Sequence, residues 1–204
     1  MKILYMTRRI LAFVALLVCF MTLPVSAQNL KTNVLYDVLL VPNIGAEFYV
    51  GGNMSLASNW HYAWWKNDSK QWFHRTYGGD FAVRYWLSKR AKENVLSGHH
   101  VGVYGQMVTY DFLLDDKGYL GDRWNWAAGI EYGYTLPIAR RLSLDFTLGL
   151  GCHWGEYKEY VPIDGHYVWQ ATKNRTFWGP TKAEIALVWL LGKNNFHAKK
   201  GGSR

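Results

Sequence analysis

The stretch Leu142-Ser143-Leu144-Asp145-Phe146-Thr147-Leu148-Gly149-Leu150-Gly151 decides the fold. Every even-numbered position is large and apolar, and every odd-numbered one is polar or glycine. A helix sets residues three and four apart on one face and would mix the two classes. A strand turns successive side chains to opposite faces, so this stretch has two unlike faces.

The same beat recurs along the chain. Ile44, Ala46, Phe48 and Val50 alternate with Gly45, Glu47, Tyr49 and Gly51. Trp124, Trp126, Ala128, Ile130, Tyr132 and Tyr134 alternate with Arg123, Asn125, Ala127, Gly129, Glu131 and Gly133. Ala183, Ile185, Leu187 and Trp189 alternate with Lys182, Glu184, Ala186 and Val188, and Val34, Tyr36 and Val38 with Asn33, Leu35 and Asp37. Eight such segments are expected, at roughly 30–41, 44–51, 54–65, 71–87, 98–112, 119–135, 141–156 and 176–190. They are about as long as the 9–11 residues with which a tilted strand crosses a bilayer. The stretches 113–118 and 157–175 read as longer, more polar connections.

Two architectures share this pattern: a secreted β-sandwich with its apolar faces inward, and a membrane barrel with its apolar faces in lipid. Three features favour the barrel. Aromatics gather at strand ends, as Trp60, Tyr62, Trp64, Trp65, Trp72 and Phe73 do around one connection, and Tyr85 and Trp86 at another. The minor face combines glycine with charge. The strands are long, and only Pro42, Pro137, Pro162 and Pro180 follow residue 27. The expected fold is all-β, an eight-stranded antiparallel transmembrane β-barrel with a polar interior filled by side chains.

Composition agrees. The chain has 204 residues, 19% charged and 17% aromatic, which excludes a disordered chain and a coiled coil. Its N-terminus has Lys2, Arg8 and Arg9, an apolar run from Ile10 to about Leu23, and Val25-Ser26-Ala27 before Gln28. That is the three-part pattern of a secretory signal peptide. A lipoprotein reading at Cys19 is weaker, because Val18 stands where a small residue is needed. The expected organisation is a cleaved signal peptide at 1–27, a barrel at 28–191 and a basic tail at 192–204. Cleavage removes three of 23 basic residues and none of 15 acids, so +8 becomes +5. It also leaves Cys152 alone. Neither the charge nor the compartment argues for nucleic acid.

The expected lumen-facing charges are Lys31, Asp37, Glu47, Asp80, Arg84, Arg123, Glu131, Asp145, Lys182 and Glu184, with His74, His100 and His153 on the same alternation. Buried charges must pair, so a salt-bridged plug is expected rather than an open pore. A catalytic reading would recruit His61, His99, His100 or His153, but no serine stands in a nucleophile setting. His99 and His100 point to opposite faces and cannot share a metal. No catalytic residue, cofactor site or metal site is expected. The stretch 157–175 is the best surface-binding candidate, with Tyr157, Tyr160, Tyr167 and Trp169 among charges.

Several stretches together resemble one family. They are Lys31-Thr32-Asn33-Val34-Leu35-Tyr36-Asp37, Pro42-Asn43-Ile44-Gly45-Ala46-Glu47-Phe48, Arg84-Tyr85-Trp86, Gly98-His99-His100-Val101-Gly102-Val103, Gly129-Ile130-Glu131-Tyr132-Gly133-Tyr134 and Gly179-Pro180-Thr181-Lys182. In order and spacing they resemble domain of unknown function 3575, whose members look like small outer-membrane barrels of Gram-negative bacteria. The sequence departs from the family at Ala82, where an acid is usual, and Asp80 stands in for that charge. The resemblance implies location and fold but no reaction. Some members lie near fimbria-type genes, which implies a structural, adhesion or surface-assembly role. A lipid-modifying or proteolytic barrel enzyme and a narrow diffusion channel are the alternatives. The expected partners are outer-membrane lipid and lipopolysaccharide, the assembly machinery of that membrane and a fimbrial or other surface protein.

Overall fold

The computed structural model describes residues 28–67, 72–87, 96–114, 116–164, 166–191 and 197. The expected signal peptide and, His197 apart, the expected basic tail lie outside the described residues. The elements are β1 (Gln28–Asn33), α1 (Val34–Val38), β2 (Asn43–Gly51), β3 (Met54–Asn67), β4 (Trp72–Trp86), β5 (Gly98–Leu114), β6 (Lys117–Ala139), β7 (Leu142–Ile163) and β8 (His166–Leu191). Each strand pairs antiparallel with its neighbours in sequence. β1 also pairs with β8, from Gln28↔Leu191 to Asn33↔Ala186, so the sheet closes into a barrel.

Alternation sets the two faces. In β7, Ser143, Asp145 and Thr147 are buried, while Phe146, Leu148 and Leu150 are 43%, 55% and 53% exposed. Glycine occurs on the inner face because large side chains lie across it. A Cβ on Gly133 would stand 2.4 Å from the His100 ring, and one on Gly149 would stand 2.6 Å from the Tyr104 ring.

Three expectations are corrected. The first segment does not run to residue 41. β1 stops at Asn33, whose side chain accepts from Leu35 N at 3.1 Å and caps α1. Asn43 takes the place of a strand neighbour there: its Oδ1 accepts from Asn33 N at 2.6 Å and its Nδ2 donates to Asn33 O at 3.2 Å. Second, 157–175 is not a loop. β7 and β8 stay paired to Ile163↔His166, and β5 and β6 to Leu114↔Lys117. Third, Trp86 is no interfacial aromatic. It is 1% exposed, turned inward, with Nε1 donating to Ser55 Oγ at 2.8 Å.

The early end of β1 leaves the wall uneven. Above Asn33, β8 residues 166–185 have no strand neighbour on the β1 side among the described residues, and β3 beyond His61 has none on the β2 side. Leu40 to Pro42 lie against β3, where Pro42 O accepts from Tyr62 N at 3.0 Å and Leu40 O accepts from Trp65 Nε1 at 2.6 Å, while α1 packs against β8.

Candidate functional site: a charged plug and the cavity above it

The interior is organised around Arg84 of β4, which is fully buried. Its Nε donates to Glu131 Oε1 at 2.6 Å, Nη1 to Glu47 Oε2 at 3.1 Å and Asp145 Oδ2 at 3.0 Å, and Nη2 to Glu184 Oε2 at 3.3 Å. Lys31 Nζ bridges Glu47 and Glu184 at 3.1 and 3.2 Å. Lys182 Nζ bridges Asp80 and Glu131 at 2.7 and 2.9 Å. His100 Nε2 meets Asp145 Oδ1 at 2.9 Å, and Thr135 donates to the same oxygen at 2.8 Å. Every strand supplies a member, β5 through His100 and β3 through Ser55, which donates to Glu47 at 2.6 Å. A charge buried this deeply persists only when paired and hydrogen-bonded. Trp86, whose ring lies 4.7 Å from His100, and Tyr104, which bonds Thr181, fill the remaining space.

Eight of the ten expected lumen charges therefore converge. Asp37 and Arg123 do not, and both are exposed. Asp37 sits on α1 rather than on a strand, where it accepts from Thr32 Oγ1 and Asn43 Nδ2, both at 2.8 Å. Arg123 falls where the β5–β6 register jumps from Val108↔Asn125 to Tyr110↔Gly121, so extra residues on β6 break the alternation.

A cavity of about 360 Å³ lies next to the plug, with Asp80 common to both. His61, His74 and His153 line it with Tyr36 and Phe112. Tyr36 enters from α1 and stands edge-on to His61, with ring centroids 5.1 Å apart. Neither Tyr36 nor His61 was expected to line the lumen. The strand reading of 30–41 hid the first, but odd-numbered alternation along β3 (Ser55, Ala57, Asn59, His61) was available for the second. His99 is exposed beside Tyr132 OH at 2.7 Å, on the face opposite His100. Among the described residues no three His, Cys, Asp or Glu side chains are grouped to hold a metal ion. Ser143 Oγ meets His197 Nε2 at 2.8 Å, but the serine is fully buried. The contact ties residue 197 to the β6–β7 turn, where His197 N also donates to Arg140 O at 2.9 Å.

At the far end, Tyr160, Tyr167 and Trp169 border a second, open cavity of about 390 Å³ with Phe73, Arg75 and Asp111. Tyr160 is buried, and its hydroxyl donates to Asp111 at 2.6 Å. Burial and that bond push the hydroxyl well above the usual tyrosine range. Tyr167 and Trp169 are 52% and 64% exposed. Tyr157 stands apart from this group, beside Tyr119 at 6.3 Å. Glu159 joins β6, β7 and β8 by bonding Lys173 at 2.8 Å and Lys117 at 3.1 Å. The hydrogen bonds from Lys173 and Lys117 hold its carboxyl below the ordinary value of 4.5.

Over residues 11–191 the chain matches a family described as protein of unknown function (DUF3575). No curated protein and no solved structure matches it.

Proposed function

The chain belongs to the DUF3575 family of proteins of unknown function, and from that premise we propose that it is a small outer-membrane β-barrel, sealed by its plug and serving a structural, adhesion or surface-assembly role. The observation that carries this reading is the inversion of the two faces. Arg84, Asp145 and Glu131 lie at 0%, 1% and 3% exposure, while Ile130, Val103 and Ile44 stand at 66%, 57% and 57% on the outside. A water-soluble barrel has no use for such an exterior, whereas lipid solvates it. Over the height of β1, closure of the strand ring from Gln28↔Leu191 to Asn33↔Ala186 meets the second demand of a bilayer, that backbone groups find partners within the protein.

In this reading residues 1–27 direct export and are removed. Outer-membrane lipid and lipopolysaccharide surround the barrel, and that membrane's assembly machinery inserts it. The paired extensions of β5–β6 and β7–β8 reach beyond the lipid, where Tyr167 and Trp169 are offered to a fimbrial or other surface protein. The barrel is not an enzyme in this reading.

The test is fractionation of cells making the full chain, with gel mobility compared before and after boiling. Recovery in the outer membrane with a heat-dependent mobility shift is expected. Recovery in the soluble periplasm overturns the membrane assignment. A porin-sized conductance in planar bilayers overturns the sealed plug.

A further inference from the structure

The barrel wall is incomplete beside the lumenal cavity. β1 and β2 are short, so at cavity height β3 and β8 are neighbours with no ladder between them among the described residues. The space is spanned by 34–41, a segment that is apolar except for Asp37. Val38, Leu39 and Leu40 are 74%, 58% and 70% exposed, and Tyr36, Leu39 and Val41 line the cavity. Its backbone hydrogen bonds beyond α1 run to β3, while α1 itself packs against β8 and its cap Asn33 accepts from Ile185 N at 3.3 Å. Trp65 Nε1 holds Leu40 O at 2.6 Å on the β3 side, and Pro42 O bonds Tyr62 N at 3.0 Å. On the β8 side no backbone hydrogen bond reaches residues 166–182 from this segment among the described residues.

The β8 edge is also unsuited to closing the wall with a strand. Pro180 lacks a donor there, and the register with β7 shifts beside it. Leu40, not a glycine, holds a left-handed φ of 57° near the end of the span, a conformation kept only when its surroundings enforce it.

We propose that this gap is a lateral portal, through which a single-chain amphiphile passes from the bilayer into the lumenal cavity, with 34–41 as its door. This rests on the membrane reading above. The cavity suits that class. Leu39, Val41, Val108 and Phe112 offer an apolar wall, and His61 and His153 offer hydrogen bonds to a small head. Its volume of about 360 Å³ is near the lower end of the ~300–1,000 Å³ of small-ligand pockets, so it holds one chain rather than two. The only carboxylate on the lining, Asp80, is engaged by Lys182 at 2.7 Å, so the head meets no free charge.

The test uses the full chain in phosphatidylethanolamine nanodiscs with radiolabelled lauric acid, and unlabelled saturated fatty acids of rising length as competitors. Saturable binding of one molecule per barrel is expected, with competition strongest at an intermediate length. Competition that only rises with length is bulk partition and overturns the cavity. Gln106→Trp, which fills the cavity, is expected to weaken binding about tenfold or more while keeping the heat-dependent mobility shift. Unchanged binding by a folded Gln106→Trp barrel overturns the site. If that variant does not fold, the length series and Trp65→Phe decide. Trp65→Phe releases the door, and about threefold faster exchange at unchanged occupancy is expected. An unchanged exchange rate overturns the portal. Failure of the wild-type chain to enter nanodiscs is a different result and strikes the membrane reading instead.

Discussion

Arg84 Nε lies 2.6 Å from Glu131 Oε1, with neither side chain exposed, and the same guanidinium reaches Glu47, Asp145 and Glu184. Removing one partner from a buried pair is far costlier than the pair's own net value, because the other charge is stranded. Arg84→Met removes the cation shared by four carboxylates, leaving them to Lys31, Lys182 and His100, and should cost about 3–5 kcal/mol in urea unfolding from lipid vesicles. Glu131→Gln keeps an acceptor for the guanidinium and should cost less.

Gly133 is the place where the His100 ring crosses the inner wall, 2.4 Å from where a Cβ would stand, with Thr147 Oγ1 at 2.5 Å. Gly133→Val must push the ring off Asp145. The expected loss is about 1–3 kcal/mol. The imidazole resonances of His100, followed by NMR, should report a broken contact with Asp145. An unmoved His100 would contradict the packing described.

Alternation was legible wherever a residue's strand kept step. The reading of Leu142–Gly151 needed no tertiary information, and eight of the ten lumen charges followed from it. It failed at four kinds of place. Val34, Tyr36 and Val38 have strand spacing, but the side chains of Asn33 and Asn43 end the ladder, a competition that period counting cannot see. Arg123 lost its place because it lies within a bulge, between the inward-facing Gly121 and Asn125, and no residue type announces a bulge on a strand with several glycines. Trp86 sits at a strand end, as girdle aromatics do, and only the ring partner His100 and the Ser55 hydroxyl show that it belongs inside. The polar character of 157–175 suggested a loop because the first part of β8 is exposed on both faces and so loses the apolar beat.

Asn33 caps α1 and also accepts from Ile185 N at 3.3 Å. Asn33→Ala should cost about 0.5–2 kcal/mol. Hydrogen exchange should show the loss concentrated in 34–41, with the ladder of β6 and β7 unchanged.

Glu159 is held below its ordinary value by hydrogen bonds from Lys173 and Lys117. A depressed folded-state value contributes stability that is present above the unfolded value and lost as pH falls through the folded one. Acidification below 4.5 should therefore loosen the ends of β6, β7 and β8 before the rest of the barrel. Hydrogen exchange across 157–175 at descending pH measures this, and Glu159→Gln should remove that pH dependence.

The charge cluster also sets the order of assembly. Arg84 enters with β4, yet two of its four acceptors, Asp145 and Glu184, belong to the last two strands, and Lys31 of β1 waits for Glu184 as well. A partly assembled sheet thus carries cations and carboxylates without their counterparts. In the membrane reading proposed above, such a sheet is poorly suited to hydrocarbon, so insertion and ring closure are expected to be one event, timed by the arrival of the C-terminal hairpin.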